Sequence, residues 1–192
     1  MKNTGKKRPL TAGEISMAAA IFGDQLDYKK IRVINRKFGI FSFKNGGRTF
    51  LNTVNISGTA YCDDYSRQAP HLKAFFIHEL THIWQYQTRP LWLASNAIEE
   101  GLRYNFNYKT AAYTYKLDLR KKFTDYGYEQ QASIIEDFFR LCWHGLRSHN
   151  GRCQNANLGV RDRLKYYRKI LSPHFPPVAY SPIPGPKPVN PF

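Results

Sequence analysis

His78-Glu79-Leu80-Thr81-His82-Ile83-Trp84-Gln85-Tyr86-Gln87 is the stretch on which the reading of this chain turns. It lies inside a segment with helical signals at both ends. Pro70 suits a first helical position, where its missing N–H costs nothing, and Pro90 marks a stop. Leu72, Phe75, Phe76, Leu80, Ile83 and Trp84 give the segment a broad apolar face, which predicts a core helix over Pro70 to Gln87. Four positions along a helix advance by about 400°, so His78 and His82 project from one face a turn apart and can hold one metal ion through two imidazoles. Glu79 lies beside that face, where a carboxylate can take a proton from an attacking water and pass it to a leaving amine. Two imidazoles and a carboxylate with one position left open suit zinc, Zn2+, in a hydrolytic site. From this composition the pattern arises by accident in about one chain in a hundred. Burying two histidines and an acid on one helix also needs partners for them, and a metal ion is the simplest.

A third protein ligand has to come from another segment. Glu129 is the first choice, because Tyr128 to His144 reads as a strong helix and the small Ala132, one turn on, permits close packing against the helix of His78. Glu129 is equally a favourable acid for a first helical turn. Glu136, Glu100 and Glu99 remain as alternatives, whereas His144 and His149 read as surface or supporting residues.

The surrounding chain reads as α+β. Thr11-Ala12-Gly13-Glu14 has the form of a capping box ahead of a helix from Thr11 to Gly23. Ile31 to Ile34, Phe38 to Phe43, Thr49 to Leu51 and Thr59 to Cys62 are short β-rich pieces separated by Asn45-Gly46-Gly47 and Ser57-Gly58, predicting a small, mostly antiparallel sheet. Trp92 to Tyr104 suits a further helix, Asn105 to Phe123 is ambiguous, and Val160 to Leu171 suits a last, basic helix. The expected organisation is a basic, loose lead-in over 1–10, a single domain over 11–171 and a tail over 172–192, which holds eight of the eleven prolines.

Composition limits the partners. The chain has 192 residues, 42% hydrophobic and 15% aromatic, which supplies a core for one globular domain. With 29 basic residues against 14 acidic ones the net charge is +15. From Phe138 onward nine basic residues face Asp162 alone, a net +8, so the C-terminal quarter carries half of the excess. Such a balance attracts polyanions without choosing among nucleic acid, anionic lipid and wall polymers. No run is long enough to span a membrane, and Ile15 to Phe22 is too short and too close to Glu14 for an ordinary signal peptide. Cys62, Cys142 and Cys153 form neither a disulfide framework nor a four-cysteine zinc site; Cys142 and Cys153 could pair in an oxidising compartment.

The motif from His78 to Gln87, together with Tyr128-Glu129-Gln130-Gln131-Ala132, resembles the small zincin-type metallopeptidases encoded beside VgrG and Rhs components of bacterial type VI secretion systems. More loosely it is similar to gluzincins, whose third ligand is a Glu in a later Glu-x-x-Ala helix; the longer metzincin pattern is absent after His82. Phe22-Gly23-Asp24 and Tyr65-Ser66 agree, and the likeness runs over roughly Thr11 to Leu141. It implies a zincin-like fold, with His78, His82 and Glu129 as ligands of Zn2+ and Glu79 as the base. It also implies delivery from the bacterial cytoplasm into a rival cell, with action in the periplasm or at the envelope, a VgrG/Rhs-like carrier and an immunity protein. The expected function is therefore a secreted zinc metallopeptidase acting on peptidoglycan peptides or proteins. In that fold substrate adds as a strand beside the active helix, for which Ser57 to Cys62 is the expected edge. An oxyanion partner is expected as well, with Tyr61, Tyr113 and Tyr128 as candidates.

Two further classes stand beside it. One is a nucleic-acid-associated metalloprotease, or a basic binding module with a supporting metal, in which Arg161, Arg163, Lys165, Arg168 and Lys169 face phosphates. The other is a non-enzymatic adaptor that keeps the fold for docking. Glu79 argues against the adaptor, since holding zinc does not need a base.

Overall fold

The computed structural model describes residues 5–36, 47–103, 110–145, 152–155 and 157–175. Its centre is the helix expected from the motif, here α2 (Pro70–Thr88), with Pro70 in its first turn and Arg89 at its C-terminal cap. Ala74, Phe76, Ile77, Leu80, Thr81 and Ile83 are fully buried, so α2 is enclosed on several sides. A four-stranded sheet and α5 (Tyr128–His144) form its walls.

The sheet runs in the order β1 (Lys7–Arg8), β2 (Arg32–Asn35), β4 (Thr53–Ile56), β3 (Gly47–Phe50). The outer pairings are antiparallel and the central β2–β4 pairing is parallel, with Val33 opposite Val54. The expected strand over Thr59–Cys62 is absent: Gly58–Ala60 forms a 3-10 turn, and the strand lies earlier in the chain, at β4. Asn55 masked that strand in the sequence. Its side chain donates to the carbonyls of Arg48 and Thr53 at 3.2 and 3.3 Å, so it sits in the sheet without an unmet polar group, while Val54 and Ile56 enter the core. The expected piece over Phe38–Phe43 lies outside the described residues.

The lead-in is not loose throughout, because Lys7 and Arg8 join the sheet and Leu10 is buried. Thr11 caps α1 (Ala12–Phe22) with the full capping box: its Oγ1 accepts from the Glu14 N–H at 3.1 Å, and its own N–H donates to Glu14 Oε2 at 2.9 Å. Gly13 lies so close to the Tyr65–Arg67 turn that a Cβ there would stand 2.1 Å from Ser66 Oγ. Tyr65 stacks on Phe76 of α2 at 4.3 Å and so joins this layer to the core.

After α2 the chain forms α3 (Pro90–Arg103), the short α4 (Thr110–Tyr113), α5 and α6 (Val160–Leu171). The stretch around Cys153 pairs with Tyr115: the Tyr115 N–H donates to the Arg152 carbonyl at 3.1 Å, and the Gln154 N–H to the Tyr115 carbonyl at 2.8 Å. Cys62, Cys142 and Cys153 are all free thiols. The expected tail begins later than residue 172, because Phe175 is buried against Phe22, Trp84 and Phe123; 176–192 lie outside the described residues. No helix among the described residues is long and apolar enough to cross a membrane.

Candidate metal centre

Helix α5 lies along α2, and its first turn meets the motif. Glu129 Oε2 is 3.2 Å from His78 Nε2 and 3.3 Å from His82 Nε2. Ligand atoms of the three residues all lie within 4.8 Å of one another, and all three side chains are shielded from solvent. Ala132, one turn on, is fully buried.

The far side of each imidazole decides what its near side offers. His82 Nδ1 lies 2.9 Å from Gln85 Oε1. The Gln85 amide cannot be turned round, because its Nε2 donates to the Tyr128 carbonyl at 2.9 Å and to Gln131 Oε1 at 3.1 Å. Gln131 is oriented in turn by donating to the Tyr126 carbonyl at 2.8 Å. Oxygen therefore faces His82 Nδ1, which places a proton on Nδ1 and leaves Nε2, facing Glu129, as the nitrogen that a metal would take in place of a proton. His78 Nδ1 makes no linear hydrogen bond but faces Glu136 Oε2 at 3.1 Å, which selects the same tautomer. Two imidazole lone pairs and one carboxylate oxygen, converging from two rigid helices, suit zinc.

Electrostatics reflect the same geometry. Burial opposes charge on both rings, yet the carboxylates outweigh it: Glu129 and Glu136 raise the pKa of His78, and Glu129 raises that of His82. Burial would lift Glu129, but His82 and His78 hold it well below the usual carboxylate range.

Glu79 reaches across to the sheet. It is 5% exposed, and its Oε2 accepts a 2.7 Å hydrogen bond from Thr49 of β3. The strand comes close enough that a Cβ on Gly47 would stand 2.7 Å from Glu79 Oε1. β3, at the end of the described sheet, thus borders the site in place of the expected Ser57–Cys62. Of the tyrosine candidates, Tyr113 lies 5.9 Å from the His78 ring and Tyr128 lies 5.6 Å from the His82 ring. Tyr61 instead packs under the Arg8 guanidinium. Burial, then Glu129 and Glu79, push the Tyr113 phenol up, which keeps it a hydrogen-bond donor at neutral pH.

Of the alternative third ligands, two lie among the described side chains. Glu136 is behind His78, Glu99 is exposed on α3, and the side chain of Glu100 lies outside the described residues, as does His149. His144 packs at the end of α5 against Phe139, remote from the motif in the chain and on the opposite end of the helix from Glu129. Sequence reasoning missed Gln85, Thr49 and the placement of Glu136. Gln85 comes three positions after His82 and Glu136 seven after Glu129, so helical spacing carried both signals.

Comparison with known proteins bears on this arrangement. No family model matches the chain. Over 137 residues, 69% of its length, the chain is 31% identical to the type VI secretion system spike protein VgrG2b of Pseudomonas aeruginosa, of which it spans 13%. Its fold is similar to the solved effector domain of Pseudomonas aeruginosa VgrG2b, with a TM-score of 0.63 and 27% identity, covering 80% of this chain and 89% of that one. Sequence and fold together make the chain a homologue of that effector domain and support an effector role for it.

Proposed function

We propose that the chain is a zinc-dependent peptidase of zincin-like fold that acts as a secreted effector on peptidoglycan peptides or proteins. The observation that carries this reading is the convergence of His78 Nε2, His82 Nε2 and Glu129 Oε2, with Glu79 one residue along the same helix. His78, His82 and Glu129 would hold the zinc ion, which would supply Lewis-acid chemistry toward water and the scissile carbonyl. Glu79, steadied by Thr49, takes the proton of the attacking water and returns it to the leaving amine. Tyr113, protonated beside His78, donates a hydrogen bond to the oxyanion. Substrate lies along β3, whose Gly47 and Thr49 face α2 while Arg48 and Phe50 face outward. Likeness to an effector domain of a spike protein supports delivery by a VgrG-type carrier; a toxic effector would in turn need an immunity protein in the producing cell. Action in a target-cell periplasm or at the envelope fits the net charge of +15, which draws the enzyme to anionic wall polymers.

A specific observation favours a second reading. Arg161, Lys165 and Arg168 are exposed at one-turn spacing on α6, a face suited to nucleic-acid phosphates. Affinity for DNA that falls steeply across a salt series would favour it.

The test is metal analysis of the purified chain, with hydrolysis of purified peptidoglycan and of an unfolded protein tracked by mass. One zinc per chain is expected, retained in Glu79→Gln, with hydrolysis lowered about 10²–10⁴-fold in that variant. Absence of stoichiometric zinc, or undiminished hydrolysis in Glu79→Gln, overturns the proposal.

A further inference from the structure

Resting on the zinc reading above, we propose that Glu136 is a positioning residue for His78 and that Arg152 holds Glu136 in place, so that the segment after α5 tunes the metal site. Glu136 is 2% exposed and stands two turns beyond Glu129 on α5. Its Oε2 reaches His78 Nδ1 at 3.1 Å, on the opposite edge of the ring from the Nε2 that faces Glu129. It is therefore placed to orient the ring and not to bind the ion that the ring would hold.

A second buried carboxylate so close to Glu129 would be costly unless its charge were met. Two guanidinium groups meet it. Arg140, one turn along α5, donates to Glu136 Oε1 from Nη2 at 2.6 Å and from Nε at 3.2 Å. Arg152 donates from Nη1 to Glu136 Oε2, the same oxygen that faces His78. Arg140 belongs to the helix of Glu136 and would be present whatever the rest of the chain did. Arg152 has no such tie and is brought in by its backbone: its carbonyl accepts from the Tyr115 N–H, and Asn155 clamps Leu117 by accepting from its N–H at 2.6 Å and donating to its carbonyl at 3.1 Å. The Arg152 guanidinium also lies over the Tyr113 ring at 5.1 Å. One side chain from beyond α5 thus touches both the carboxylate behind His78 and the tyrosine beside it.

Carboxylates behind metal-bound histidines fix tautomer and ring orientation, and their loss commonly weakens metal binding by about 10–100-fold. The experiment uses the full chain stripped of metal. It measures zinc affinity by competition with a chromophoric chelator, the visible absorption spectrum after loading with Co2+, and thermal unfolding of the metal-free protein. Glu136→Gln is expected to bind zinc about 10–100-fold more weakly and to shift the Co2+ spectrum; Arg152→Gln is expected to change both in the same direction by less. Lower melting of metal-free Glu136→Gln with unaltered zinc affinity and Co2+ spectrum would mean a structural role and overturn the inference, leaving the peptidase reading intact. If the wild type itself binds no zinc, both fall. Should Glu136→Gln fail to fold, Arg152→Gln decides by the same two readouts, and an unchanged affinity and spectrum in it overturn the inference.

Discussion

Glu14 and Glu129 occupy the same kind of position, the first turn of a helix, and both are buried, yet they do opposite things. Glu14 reaches back to the N–H of Thr11, accepts two 2.8 Å hydrogen bonds from Arg8 and one of 2.9 Å from the N–H of Tyr65. Every donor it meets is fixed, and the group closes β1, α1 and the turn before α2 into one unit. At α5 the corresponding capping bond is made by Gln130, whose Oε1 accepts from the Gly127 N–H at 3.2 Å. Glu129 is thereby released from capping and turns to α2, where one of its oxygens faces two imidazole nitrogens. A carboxylate with a full set of fixed donors is architecture; one whose partners are ligand atoms themselves is suited to sharing a cation with them.

The difference can be broken in four ways. Glu14→Ala strands the Arg8 guanidinium in a half-buried site and is expected to cost about 3–5 kcal/mol in urea unfolding, the same with and without zinc. A loss below about 1 kcal/mol would remove Glu14 from its structural role.

On the proposed zinc reading, Glu129→Gln is expected to abolish the zinc-dependent part of stability, which for the wild type would amount to about 4 kcal/mol with free zinc a thousandfold above Kd. Thermal unfolding with and without a chelator measures it; an equal zinc response in the variant would make Glu129 no different from Glu14.

Asp137 provides a third buried carboxylate for the comparison, and an incompletely satisfied one. Its Oδ2 accepts a 2.7 Å bond from Tyr115, itself 2.6 Å from Tyr167, while Oδ1 has no partner. Burial pushes its pKa up to about 6; Glu136 adds to the rise, and the Tyr115 hydroxyl, Arg152 and Arg140 oppose it. A folded-state pKa above the unfolded one means that the ionised form is penalised in the fold. The penalty is absent below about pH 4 and complete above about pH 6, so stability relative to Asp137→Asn should fall by about 3 kcal/mol over that window. A flat difference from about pH 4 to 7 in denaturant titrations would contradict the placement.

The smallest effect belongs to the turn between β3 and β4. Leu51 holds φ at 52°, where a side chain is strained, and it is 47% exposed. Leu51→Gly is expected to raise stability by up to about 1 kcal/mol in thermal unfolding while leaving zinc affinity unchanged. Altered zinc affinity in this variant would tie the hairpin to the metal centre as well as to Glu79.

Much of the helical frame was readable from local pattern. Pro70 before a broad apolar face marked α2, Thr11 and Glu14 marked the start of α1, and the run after Tyr128 marked α5. The sheet was harder, because its strands are only two to four residues long and alternation over so few positions is weak. Asn55 broke the pattern where β4 runs, and Thr59-Ala60-Tyr61-Cys62 imitated it where a 3-10 turn runs. The edge expected beside the motif helix was consequently displaced from β3. Among the tyrosines nothing local separates Tyr61 from Tyr113, since proximity to His78 depends on how α4 docks.

Spacing within single helices was enough to set several relations of the site before any packing. It puts His78 and His82 on a shared face, Glu79 beside them, Gln85 one turn after His82, and Glu129 and Glu136 on a shared face of α5. Helical geometry is local and repeats every 3.6 residues, so these relations hold wherever the helices pack. Tertiary packing alone brings α5 against α2 with Glu129 toward the imidazole Nε2 atoms and Glu136 toward His78 Nδ1. It likewise carries Arg152 in from a distant segment to balance Glu136. Those outcomes depend on helix rotation and on charge neutralisation between elements far apart in the chain, and no periodicity within either element encodes them.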